Sequence, residues 1–173
     1  MNERITVIEL DSVNFPDLDG MLRFTSAKYN DEFSLATTTL GTESLDGKRR
    51  QYDAQKILYK ISQLKRVNGW QKCIGITNQD IFIDGMNFVF GFASPTSSTC
   101  IVSLSRLVEH EIPTRNERER VTKEITHEIG HIYGLQHCTG RCVMTFSNST
   151  IDIDSKSSEL CTICKGILNM LNE

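Results

Sequence analysis

Apolar and polar positions along the chain follow two alternating periods. Ile5, Val7 and Leu10 sit among Ile8 and polar neighbours, and this pattern predicts a strand over Ile5–Leu10. A helix is expected over Asp17–Tyr29, where Leu18, Met21, Leu22 and Thr25 share one side although Gly20 lies inside it. Phe33–Leu40, rich in Thr and apolar residues, reads as a second strand. Tyr52–Val67 is a stronger helix, with Ile57, Ile61 and Leu64 at helical spacing, Asp53 as N-cap and Asn68-Gly69 as the stop. Three apolar segments follow, Lys72–Thr77, Asn87–Ala93 and Thr99–Leu104. The second is aromatic and β-branched and stops before Pro95. Helices alternating with strands, then a run of strands, predict a mixed sheet with helices packed on it.

The strongest helix begins at Thr114. Thr114-Arg115-Asn116-Glu117 has the form of a capping box, in which each end residue satisfies a free amide of the other. Val121, Ile125, Ile129 and Ile132 then build one apolar face. The charges from Arg115 to Glu124 alternate in sign and include the i,i+4 pair Glu119–Lys123, so they read as a solvated face. The helix is expected to end at Gly134. Beyond it, Ser147–Ser158 is a polar stretch that no core would order by itself, and a last helix is expected over Cys161–Leu171.

Composition narrows the class. The 173 residues suit one domain, 1–173, with 138–173 as its C-terminal, metal-tied part. Nineteen Lys+Arg against 22 Asp+Glu give a net charge of −3, without the basic excess of a nucleic-acid binder. No apolar run is long enough to span a membrane. Met1–Val7 lacks the apolar core of a secretory signal, so a cytoplasmic monomer is expected. In a reducing compartment six cysteines point to metal before disulfides. Cys73 and Cys100 lie in apolar runs and read as core thiols, whereas Cys138, Cys142, Cys161 and Cys164 crowd the C-terminal part.

Candidate chemistry is concentrated in His127-Glu128-Ile129-Gly130-His131-Ile132-Tyr133-Gly134-Leu135-Gln136-His137. His127 and His131 are one helical turn apart on one face and can share a metal. Glu128 points about 100° away from His127, where it can act as a base over the open coordination position without joining the ligand pair. A Gly at 134 can adopt positive φ, break the helix and return His137 as a third ligand. Three protein ligands plus water make an open catalytic zinc site, whereas structural sites are closed by four. The competing reading, of ordinary helix histidines, leaves the spacing of Gly134 and His137 without a reason.

This segment resembles the metzincin signature H-E-x-x-H-x-x-G-x-x-H, and Cys138 directly after the last histidine resembles the archaemetzincin family of zinc metalloproteases. Cys142-Val143-Met144 is similar to that family's Met-turn and Cys161-Thr162-Ile163-Cys164 to its closing C-x-x-C. Gln51-Tyr52, Phe88-Val89-Phe90-Gly91 and Lys123-Glu124 extend the likeness upstream. The resemblance implies an α+β fold of metzincin type, with a mixed, mostly parallel twisted sheet, one antiparallel edge strand, packed helices, an active-site helix and a zinc-bound C-terminal segment. It implies a catalytic zinc on His127, His131 and His137, Glu128 as general base, Met144 as a hydrophobic floor, and a structural zinc on the four cysteines. One departure is visible. Three residues separate Cys138 from Cys142 where four are usual in the family, and Gly140 would permit the tighter turn.

Read from the residues alone, the cysteines offer four thiolates at zinc-like spacing. Two disulfides and a redox C-x-x-C are the other readings, the first disfavoured by the missing signal and the second by the polar segment before Cys161. The expected activity is hydrolysis of a peptide or protein substrate that adds as a strand along an edge, with Phe88–Ala93 as the candidate edge. No side chain presents itself as an oxyanion stabiliser, and Tyr133 reads as a packing residue. The alternative is a zinc-binding scaffold or sensor with little turnover, for which Glu128 would have no use.

Overall fold

The structure, a computed structural model, describes residues 4–171. Met1, Asn2 and Glu3, on which the reading of the N-terminal segment partly rests, lie outside the described residues. In chain order the first elements are β1 (Arg4–Leu10), α1 (Leu18–Tyr29), β2 (Glu32–Thr38), β3 (Leu45–Asp46), β4 (Gln51–Asp53) and α2 (Ala54–Asn68). Next come β5 (Lys72–Thr77), β6 (Ile81–Phe82), β7 (Gly91–Ser94), β8 (Thr99–Ser103) and the active-site helix α3 (Arg115–Ile132). The short α4 (Thr150–Ser155) and α5 (Thr162–Leu171) are the last elements of the described residues.

A five-stranded sheet runs β2-β1-β5-β8-β7, parallel except for the antiparallel edge strand β7. Its central strands are buried on both faces, as parallel strands must be when helices cover both sides. Ile5, Val7, Ile74, Ile76, Cys100 and Val102 face one apolar cluster, which includes residues of α1, α3 and α5. Ile8, Leu10, Cys73 and Ile101 face the other, built on α2. Cys73 and Cys100 are thus core thiols on opposite faces. A second sheet of β3, β4 and β6 lies beside the first.

Local signals operate where they were legible. The Asp53 carboxylate accepts from the amides of Gln55 and Lys56, and Gly69 closes α2 in the left-handed region. The Thr114–Glu117 capping box opens α3. No described helix is long and apolar enough to cross a membrane.

Three expectations need correction. Phe88–Phe90 is not a strand, because Arg49 and Gln51 hold the Asn87 carbonyl at 3.0 and 2.9 Å and fix the segment as a loop with one bridge to Ile81. The Arg115–Glu124 face is not uniformly solvated, since Glu117, Lys123 and Glu124 are buried. Lys123 donates to the carbonyls of Ile153 and Asp154 at 2.8 and 3.1 Å. The polar stretch also packs on α3, which the sequence expectation left out. Arg120 grips Asp154 through two bonds of 2.7 Å, Ser149 and Asp152 form a capping box, and Ile153 is fully buried.

Candidate active site and metal centres

Helix α3 carries His127 and His131 on the face that looks into a cleft of about 710 Å³ between α3, β7 and the segment after Met144. The Nδ1–H of His127 donates to the Val143 carbonyl at 2.9 Å and that of His131 to the Leu135 carbonyl at 2.8 Å. Each bond fixes a tautomer and leaves Nε2 as the free lone pair. The two Nε2 atoms face each other 3.1 Å apart. A tetrahedral zinc with Zn–N bonds of about 2.0–2.1 Å asks for about 3.3–3.4 Å between ligands, so the pair needs only a small adjustment. Gly134, with φ 93°, turns the chain after α3, and His137 comes back to the pair. Ligand atoms of all three lie within 4.8 Å of one another. Burial, and then the Lys156 charge, pushes His127 down to about 2, and burial lowers His131 and His137 as well. Neutral imidazoles at pH 7 are what a metal requires.

Glu128 is buried at the same cleft, against Gly91 of the edge strand β7. A Cβ at Gly91 would sit 2.6 Å from the Glu128 Cγ and Oε1. Burial, with the Glu124 charge added, pushes the Glu128 carboxyl well above its ordinary value. That shift makes it a better proton acceptor when ionised. Met144 is fully buried under Gly130 of α3, and Tyr133 packs by stacking on Tyr29 at 5.1 Å.

The second group is the four cysteines. No disulfide joins any of the six cysteines, and Cys138, Cys142, Cys161 and Cys164 bring their sulfurs within 4.8 Å of one another. Cys138 and Cys161 are 3.8 Å apart. The edge of a zinc–thiolate tetrahedron with bonds of about 2.3 Å is also about 3.8 Å. Amides of Gly140, Cys161 and Cys164 point at the sulfurs of Cys138, Cys142 and Cys161. The Cys164 amide, with the neighbouring thiols, brings Cys161 down to about 7. The shortened Cys138–Cys142 spacing therefore still closes the cluster. Both donor sets fit zinc, one three-coordinate from protein and open to the cleft, the other closed by four sulfurs.

The model of peptidase family M54 matches residues 33–170. The chain belongs to that family. It is a zinc metallopeptidase of archaemetzincin type, 36% identical over 154 residues to the archaemetzincin of Archaeoglobus fulgidus, a match covering 88% of this chain and 91% of that protein. The crystal structure of the Methanopyrus kandleri archaemetzincin superposes with a TM-score of 0.83 at 30% identity, covering 99% of this chain and 96% of the other. A zinc-dependent peptidase from Methanocorpusculum labreanum gives 0.87 at 26% identity, covering 95% and 100%. The family places peptides or proteins as substrates.

Three features of this M54 site escaped the sequence reading. Gly91, one residue of the aromatic Phe88–Gly91 segment, is the surface against which Glu128 rests. Lys156 reaches 32 residues back to hold Glu124 at 2.7 Å in a buried ion pair at the cleft. Gln51 donates to Asp80 and the Asn87 carbonyl, both at 2.9 Å, and so fixes the cleft rim.

Proposed function

We propose that the chain hydrolyses peptide bonds with Glu128 as general base, a catalytic zinc on His127, His131 and His137, and a structural zinc on Cys138, Cys142, Cys161 and Cys164. The observation that carries this reading is the position of Glu128, buried against the edge strand in the cleft that His127, His131 and His137 also line. A zinc ion there supplies Lewis acidity, acidifying water and polarising a carbonyl oxygen.

The chain's own residues do the rest. The bonds from His127 and His131 to backbone carbonyls keep the imidazoles in one tautomer and one orientation. Glu128 takes a proton from the attacking water and returns it to the leaving amine, so no covalent intermediate with the protein is needed. The free edge of β7, whose other edge pairs with β8, offers amides and carbonyls to an extended substrate. That assigns substrate alignment to Gly91–Ser94, the strand portion of the expected Phe88–Ala93 edge. The cysteine cluster ties Cys138 to the start of α5 and so fixes the loop that presents His137. The chain acts as one domain, 1–173, on a peptide substrate and not on nucleic acid or membrane.

The competing scaffold or sensor reading predicts zinc binding without turnover. Digestion of a proteome-derived peptide library by zinc-loaded protein, with Glu128→Gln in parallel, separates the two. New cleavage products from the wild type alone support the reading. Identical product lists refute it.

A further inference from the structure

One end of the cleft is polar in a way that Glu128 and the histidines do not use. Glu124 lies one turn before Glu128 on α3, is 3% exposed, and lines the cleft. Its one hydrogen-bond partner among the described residues is Lys156, whose Nζ holds Oε1 at 2.7 Å and also reaches the Thr145 carbonyl at 3.3 Å. Lys156 thus ties α3 to the segment after Met144 through Oε1 and the Thr145 carbonyl, and no bond among the described residues takes Oε2 of Glu124. In that segment Ser147 lines the cleft as well, and its Oγ is buried with no hydrogen-bond partner. A buried ion pair is a weak source of stability, because desolvation offsets most of the attraction. A buried hydroxyl without a partner costs free energy outright. Both features gain a purpose if a polar group of a substrate in the cleft reaches them.

We propose that Glu124 and Ser147 form a side-chain pocket that selects a carboxamide, Asn or Gln, at a residue flanking the scissile bond. The proposal rests on the peptidase reading above and names part of its substrate class. A carboxamide matches the two atoms in opposite senses. Its N–H₂ donates to Glu124 Oε2, and its carbonyl accepts from the Ser147 hydroxyl. The Lys156 ammonium already balances Glu124, so the pair is neutral overall. A guanidinium or ammonium would bring an uncompensated charge beside Lys156. A carboxylate would face Glu124 with no proton to share. An apolar side chain would leave both protein groups unsatisfied, and a site built to hydrogen-bond its substrate rejects an analogue that cannot.

The test uses zinc-loaded full-length protein and paired peptides that differ at one residue beside the cleaved bond, Gln against Met and Gln against Glu. The expected kcat/KM ratios favour Gln by at least about tenfold in each pair. Ser147→Ala should lower the Gln-to-Met ratio by about five- to tenfold. Both peptides are read on one preparation, so a folding defect cancels from the ratio. A second readout needs no turnover: the Glu128→Gln protein should bind a fluorescent Gln peptide more tightly than its Met twin, and Ser147→Ala on that background should narrow the gap. Cleavage with no preference for Asn or Gln on either side of the bond would overturn the pocket and leave the peptidase reading standing. Absence of any cleavage together with equal binding of the two peptides would overturn both.

Discussion

Replacing Gly91 with alanine tests whether the edge strand positions the base. Gly91 is not among the residues at positive φ, so alanine fits its backbone without strain. The new Cβ would lie 2.6 Å from Glu128 Cγ and Oε1 and 2.8 Å from Cδ. Non-bonded carbon atoms settle at about 3.5 Å, so the carboxylate must retreat by roughly 0.9 Å. A misplacement of about 1 Å at a reacting group costs about 10²-fold in rate. That corresponds to about 2.7 kcal/mol of barrier. Zinc content should be unchanged, because the atoms nearest the new Cβ all belong to Glu128, which is outside both groups of candidate metal ligands. The assay is kcat on a cleaved peptide, with metal analysis of the same sample and a repeat in the Glu128→Gln background. Coupled residues are not additive, so Gly91→Ala should cost little more once Glu128 is gone. Wild-type turnover by a folded, zinc-loaded Gly91→Ala protein would refute the reasoning. An equal loss in both backgrounds would show that Gly91 acts on substrate alignment and not through Glu128.

Other outcomes follow from the same geometry. His131→Ala should lose the histidine-bound zinc and keep the cysteine-bound one, because separate residues hold the two; loss of both ions on metal analysis would contradict this. Cys161→Ser should loosen residues 138–171 to limited proteolysis and weaken the histidine-bound zinc too, since the Cys138 amide is tied to the Met144 carbonyl at 3.0 Å beside His137. Two retained zincs and an unchanged digestion pattern would remove the structural role of the cysteines. The His110–Glu117 clamp predicts a pH-dependent contribution to stability. Burial raises Glu117, but amide bonds from Glu109 and Thr114 and the His110 ring outweigh it and hold the carboxyl well below its usual range. Its bond to Glu117 raises His110. The Glu117 contribution is present above the ordinary carboxylate value of about 4.3 and lost on acidification. The His110 contribution is full below about 6.5 and is lost as pH rises through the raised value. The Tm gap between wild type and Glu117→Gln should therefore widen from pH 3 to 5 and narrow at alkaline pH, and a constant gap would contradict the clamp.

What could be read from sequence was what lies close together in it. The α3 capping box, the i,i+4 histidines, the turn at Gly134 and the cysteine pairs are each set by a few neighbouring residues, and the structure assembles them as spaced. The central strands were legible because both faces are apolar and the runs are short. What stayed hidden depends on partners distant in the chain. Nothing near Glu124 signals that Lys156 will neutralise it, so a charged helix looked solvated. The loop at Phe88–Phe90 has strand composition, but Arg49 and Gln51 take its neighbouring carbonyl. The contact between Gly91 and Glu128 is likewise non-local, and a lone glycine in an aromatic run carries no local signal of it. The α4 capping box, Ser149 to Asp152, is a local signal, but the polar residues around it mask the helix it opens.

The central claim is that Glu128 moves protons and does not hold metal. The most direct measurement is kcat for zinc-loaded Glu128→Gln alongside zinc per chain on the same sample. Retention of both zincs, at the histidine and cysteine groups, with turnover reduced by about 10²–10⁴-fold is the predicted result. Turnover equal to wild type, or loss of the histidine-bound zinc with the substitution, would contradict it.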